Sequence, residues 1–277
     1  MLSSKRPVGT TILNRLVGVA LLAMVAGSLA CSDTADDDPP GTTDENGENG
    51  DNGDDNENPV TGTSRCELLP GDETSEEGTV GINQRIDINS GAGLVRYQNV
   101  TQINGNLYIY LNEDESVDCV EFPNLRVVTG VINIIGAGTA VETVNFPVLQ
   151  KAGGVSIDEV DVASEVSVLR EVHMENLLIT EMPMAGGPRI GDMRISSTTS
   201  LETFSAPLLE TTGDVYVGAN DALQSLDLAS LNEASRLAFF QNPELCLSAI
   251  NALVEQVEEE TPSVSVDVDA NSGNEGC

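Results

Sequence analysis

A short pattern, Gly-x-φ-x-φ with φ apolar, recurs along the chain and restricts its fold more than any other feature. Gly105 leads Leu107 and Ile109, Gly130 leads Ile132 and Ile134, and Gly153 leads Val155 and Ile157. Gly191 then leads Met193 and Ile195, Gly213 leads Val215 and Val217, and Ser235 leads Leu237 and Phe239. The leaders stand 25, 23, 38, 22 and 22 positions apart. Alternate residues of a strand face opposite ways, so each copy offers one apolar side. A single strand per repeat cannot bury that side alone. Stacked copies can, and a period in the low twenties is the mark of a solenoid.

A second apolar stretch recurs between the leaders. Val120, Phe122 and Leu125 return as Val144, Phe146 and Leu149, and "REVHMENL" supplies Val172, Met174 and Leu177. Leu201, Phe204 and Leu208 or Leu209 follow, then Leu226, Leu228 and Leu231. The long step carries about fifteen extra residues within 158–191. Its "EMPMAGGPRIGD", rich in proline and glycine, should loop out of the stack, and inserted loops on repeat proteins often carry function. After a last strand and a turn at Asn242-Pro243, a helix is expected. Pro243 suits its first turn, and Leu247, Ile250, Val254 and Val257 share one face. That helix would cap the exposed end of the core. The expected fold is therefore mainly β: a parallel β-helix or leucine-rich-repeat-like solenoid of about six coils, spanning 66–277 and closed by a C-terminal helix.

The first 65 residues read differently. Lys5, Arg6 and Arg15 precede an apolar run from Leu16 to Ala30, too short and too N-terminal for a spanning helix; residues 1–30 read as a secretory signal peptide. The run ends in "GSLAC", which resembles the lipobox of bacterial lipoproteins, with Ser28 where an aliphatic residue is usual. That resemblance implies acylation of Cys31; plain cleavage leaving Cys31 as a thiol is the alternative. Residues 32–65 hold 11 acids and no base before Arg65. So charged and so little apolar a segment cannot offset its chain entropy and is expected to be a disordered, extended tether. Ser32 follows the cysteine in place of the aspartate that marks inner-membrane retention in some bacteria, which favours the outer membrane or cell surface.

The coils "GNLYI", "FPNL" and "TG", closed by "NPELC" and a helix, resemble the receptor L domain over about Gly81 to Leu253. That family forms the paired ligand-binding lobes of the insulin and epidermal growth factor receptors. The resemblance implies a right-handed β-helix with short parallel sheets that binds a ligand without catalysis. This chain has one lobe, no kinase and no cysteine-rich module, so no receptor ligand residue carries over. An exported chain meets an oxidising compartment, and with Cys31 lipidated an even set remains: Cys66, Cys119, Cys246 and Cys277. Of the three possible pairings, the solenoid favours Cys66–Cys119 and Cys246–Cys277, one staple at each end. Zinc is the rival, but there is no CxxC pair and His173 is the sole imidazole.

The net charge is -33, from 45 acids against 12 bases, which repels phosphate backbones and argues against nucleic acid. One histidine and two lysines leave little for acid–base or nucleophilic chemistry, and His173, between Val172 and Met174, is expected to face outward. No EF-hand spacing fits: after Asp267 in "DVDAN" the glycine comes one place late, so no metal or other cofactor is expected. Gly136 and Gly138 in "INIIGAGTA" suggest a dinucleotide loop, but Val141 holds the third glycine position and Phe146-Pro147 leaves no room for the helix. A β-helical polysaccharide lyase would need clustered carboxylates, and these acids scatter. The candidate binding face is the outward side of the repeated strands: Tyr108, Tyr110, Asn133, Asp158, Arg194, Tyr216 and Phe240. It gathers three of the four tyrosines, and tyrosine is enriched in recognition surfaces; it is also simply a good strand former. The expectation is a membrane-anchored, non-enzymatic module for a protein or glycan, with a structural envelope component lacking a ligand as the alternative.

Overall fold

The computed structural model describes residue 66 and residues 77–269, apart from 111–116, 136–140, 159–166 and 183–188. The signal segment, Cys31, the acidic tether, the "GAG" loop and Cys277 lie outside the described residues. In chain order the elements are β1 (Glu77–Ile88), α1 (Gly91–Tyr97), β2 (Asn99–Ile109), β3 (Cys119–Glu121), β4 (Val127–Ile135) and β5 (Thr143–Asn145). Next come β6 (Lys151–Asp158), β7 (Glu171–His173), β8 (Ile179–Met182), β9 (Arg189–Ile190), β10 (Met193–Ser196) and β11 (Thr203–Ser205). The last are β12 (Asp214–Gly218), β13 (Ser225–Asp227), β14 (Arg236–Phe240), α2 (Leu247–Glu260) and β15 (Ser265–Val268).

Most coils cross two sheets. The larger runs β1-β2-β4-β6-β10-β12-β14-β15 and the smaller β13-β11-β7-β5-β3, each neighbouring pair parallel. This is a mainly β, parallel solenoid of about five turns with a C-terminal helix. All six Gly-x-φ-x-φ copies are strands of the larger sheet. Five coils close through the smaller sheet; in the first and last, α1 and α2 stand where its strand would be. The sequence reading missed both α1, whose "SGAG" start looks like loop, and β15. Ser90 makes that start helical: its hydroxyl accepts the Gly93 N–H at 3.2 Å.

The rows of the core explain the repeated residues. Val120, Val144, Val172, Phe204 and Leu226 pair across the smaller sheet, each at an inward position. Two residues later come Phe122, Phe146, Met174, Ala206 and Leu228. Phe204 therefore belongs with Val120, a correction to matching it with Phe122; of the two leucines after it, Leu209 is buried and Leu208 is exposed. Beyond this row a turn closes with the amide of Leu125, Leu149, Leu177, Leu209 or Leu231 donating to the carbonyl three residues earlier. Pro123, Pro147 and Pro207 are the first inner residues of such turns, where proline's fixed φ fits.

The leading glycines form a line as well. A Cβ on Gly130 would lie 2.5 Å from the carbonyl oxygen of Gly105, and one on Gly153 2.6 Å from that of Gly130. Gly213 donates to the Gly191 carbonyl at 2.7 Å and Ser235 to that of Gly213 at 2.9 Å. Backbone rests on backbone from coil to coil at this corner, so glycine recurs for want of space. Only Gly105 among them also has a positive φ, 138°.

A third line follows β10, β12 and β14. Ser197, Ala219 and Gln241 have φ of 57°, 57° and 53° and turn the chain inward. Thr198, Asn220 and Asn242, next in sequence, are fully buried. Asn220 donates to the carbonyl of Ile195 (3.2 Å) and to Oδ1 of Asn242 (2.8 Å), and its own Oδ1 accepts from the Thr198 hydroxyl (2.8 Å). Asn242 donates to the carbonyl of Val217 at 3.1 Å.

Part of the extra length forms an antiparallel hairpin of β8 and β9, closed at its base. Thr180 lies beside Ala152 of the preceding coil, and its hydroxyl donates to the Gly191 carbonyl at 2.6 Å, while Gly191 N–H donates back at 2.9 Å. The stack thus continues from Thr180 into β10 as though the insertion were absent. At the C-terminal end α2 begins at Leu247, four residues later than expected, and Pro243 sits in the turn before it. Ile250 and Val257 are buried, and Gln256 Nε2 donates to the carbonyls of Ala229 (3.1 Å) and Leu231 (2.8 Å), fixing the helix to the last closed coil.

Cys66 and Cys119 form a disulfide across 53 residues. In the chain-entropy description such a closure stabilises by about 4 kcal/mol. Cys246 is also disulfide-bonded; Cys277, its expected partner, lies outside the described residues.

Candidate functional site

Alternation along the strands of the larger sheet separates two sets of residues. Leu107, Ile132, Val155, Ile195, Val217 and Leu237 are buried to within 1% of full enclosure. The residues between them form rows on the other side. One row, fixed by pairing, runs Asp87, Tyr108, Asn133, Ser156, Arg194, Tyr216, Ala238 and Asp267. The next runs Ile135, Asp158, Ser196, Gly218 and Phe240. All seven residues named from the sequence are on this face, none buried in the core.

They fall into two groups. Tyr108 and Tyr110 stack with ring centroids 5.9 Å apart and planes within 5°. Arg85, which the sequence reading passed over because it precedes the first leading glycine, covers the Tyr108 ring at 3.9 Å and donates to the Tyr110 hydroxyl. Its Nε pairs with Asp87, and this hydrogen bond raises the Arg85 pKa above its already high ordinary value. The cation at this end is thus internally matched.

At the other end Arg194 lies over the Tyr216 ring at 4.7 Å, and Phe240 meets Tyr216 edge-on, centroids 4.7 Å apart at 71°. Arg194 Nε donates to the Ser196 hydroxyl at 3.0 Å. Lys151, Arg170 and Arg236 each pair with a carboxylate, whereas Arg194 has none among the described residues. Its remaining N–H groups are open to solvent. Four strand spacings, about 19 Å, separate Tyr108 from Tyr216. Asn133, Ser156 and Asp158 lie between, so short polar side chains connect two raised aromatic groups.

His173 departs from expectation. It is in the outward row of the smaller sheet, beside Asn145 and Ser205, but it is only 4% exposed. Its Nε2 is 3.0 Å from Glu171, which gives the ring a structural partner. The neighbouring Glu121 is buried too, accepting from Asn145 Nδ2 at 2.6 Å and from the Cys66 amide at 3.3 Å. One outward row of the smaller sheet, Glu121, Asn145, His173 and Ser205, is therefore enclosed, while in the row beside it the Glu171 side chain is 46% exposed. Among the described residues no helix is long and apolar enough to cross a membrane. Set against protein-family models, curated proteins and solved structures, the chain finds no match.

Proposed function

We propose that this chain is an exported envelope lipoprotein: Cys31 is the acylated anchor, residues 32–65 are the tether, and the solenoid is a non-catalytic recognition module like a single receptor L domain. The observation that carries the recognition reading is the larger sheet's outward face. Three of four tyrosines, Phe240 and two arginines occur there in two groups, one stacked and one edge-on, on a chain with only 12 basic residues and 3% aromatics. Aromatic rings and guanidinium groups supply the large, pre-ordered contacts that dominate binding surfaces. The acidic remainder of the surface disfavours nucleic acid. The anchor reading rests on "GSLAC" and the tether that follows it.

Two measurements test these parts separately. Full-length protein in its native envelope should partition into detergent, and Cys31→Ala should release it, since about 0.8 kcal/mol accompanies each buried acyl methylene. Unaltered protein recovered in the soluble fraction would contradict the anchor. On glycan and protein arrays the purified chain should bind at least one ligand saturably; silence on both would favour a structural envelope component.

A further inference from the structure

The disulfide between Cys66 and Cys119 stands where the acidic segment meets the solenoid. Its span takes in β1, α1 and β2 and ends on the first residue of β3. A chain arriving at residue 66 is therefore tied directly to β3, and β1, α1 and β2 become a side loop between the two cysteines. The two points of entry differ in how firmly they are held. β1 is an end strand of the larger sheet, and its pairing with β2 shifts register between Gly78 and Thr79 and again between Val80 and Gln84. Just beyond Cys119, Val120 and Phe122 are fully buried, and Phe122 stacks on Phe146 of the next coil. The Cys66 amide also donates to the buried Glu121 carboxylate at 3.3 Å, which holds the joint against β3. Arg85, Tyr108 and Tyr110, one of the two groups on the outward face, all lie within the bridged loop.

We propose that this disulfide is a force bypass: tension on the tether enters the solenoid at β3 and leaves β1 and β2 unloaded. The proposal rests on the anchor reading, in which residues 32–65 link the membrane to the domain. A ligand held on the outward face then pulls the domain away from its anchor, and that pull crosses residue 66. Repeat stacks open from their ends, because an end coil has one neighbour and an inner coil has two. Without the bridge the pull would act on the N-terminal end of β1, where the pairing is irregular. Peeling β1 would carry Arg85 away from Tyr108. With the bridge, the pull passes through covalent bonds to Cys119 and on to a strand whose next apolar residues are locked in the core. A staple serving stability alone could join any two distant points of the chain. This one is placed where the tether ends, and the second bridged cysteine, Cys246, lies off the loaded path.

The test stretches the whole chain from Cys31 onward in optical tweezers, with one handle on the Cys31 thiol in place of acyl chains and the other at the C-terminus. The parent chain should unfold without a separate early step from the bridged segment. Cys66→Ser/Cys119→Ser should add one, at lower force than the main unfolding. Its length should be about 180 Å, because the 53 residues of the bridged span extend by about 3.4 Å each. If the double variant does not fold at rest, a phosphine reductant added to the folded parent under tension should produce the same step, identified by its length. A bridged segment that gives way only together with the stack, at the parent's force, would overturn the bypass. The handle replaces the lipid, so these traces do not depend on acylation. Recovery of the native protein in the soluble fraction would overturn the anchor reading and, with it, the proposed role, whatever the traces show.

Discussion

Phe146→Ala is expected to cost about 3–5 kcal/mol of stability, the range for emptying a fully buried aromatic site. Phe146 has no exposure, and its ring stacks on Phe122 at 5.2 Å with planes 5° apart. Leu149 below and the rows on either side belong to regular coils, whose backbones are tied to both neighbours and cannot collapse into the void. Urea denaturation with the disulfides intact should show a lower midpoint and an unchanged slope, as a loss of stability without a change of folded extent requires. Ile134→Ala, equally inward, should fall in the 2–5 kcal/mol range. A change below about 1 kcal/mol at Phe146 would mean that the stacked row does not carry the core.

The second large effect is expected at Asn220. Asn220→Ala removes a fully buried amide that serves three coils. It leaves the Ile195 carbonyl, the Asn242 amide oxygen and the Thr198 hydroxyl without their partner. Each buried polar group left unsatisfied costs about 1–3 kcal/mol, so a total near 4 kcal/mol is expected. Ala219 and its equivalents also hold a left-handed backbone that this line of side chains secures. Asn220→Asp is the sharper variant, because it keeps the size and loses the donors to Ile195 and Asn242. Thermal unfolding should place both well below the parent chain; if either melts with it, the polar line is incidental to the fold.

What could be read from the sequence follows from which contacts demand one residue type. The strand rows were legible because alternation needs only apolarity, and the glycine corner because a Cβ would meet the backbone of the next coil. The register of Phe204 was misread because phenylalanine was matched to phenylalanine. Pro207 aligned with Pro147 would have placed Ala206 opposite Phe146 and given the correct row. The buried polar line was not legible: Ser197, Ala219 and Gln241 share a conformation but no chemistry, and Asn220 and Asn242 look like ordinary turn residues. His173 shows the complementary limit. Alternation gives the direction of a side chain, but not whether another part of the chain covers it.

The outward face was legible in position and not in arrangement. Period two placed Tyr108, Tyr216 and Phe240 on one side, yet nothing local joins Arg85 to Tyr108 or sets Phe240 edge-on to Tyr216. Those contacts run between coils, and each depends on strand register. The separation of roles between the two sides is the central claim: inward residues hold the solenoid and outward aromatics meet a ligand. It is tested most directly by the double variant Tyr108→Ala/Tyr216→Ala, followed by melting and by binding of whatever ligand the arrays identify. The expected result is a stability change within about 1 kcal/mol, the sum of two ordinary surface substitutions, together with loss of binding. A variant that unfolds, or one that stays folded and binds as before, would contradict it.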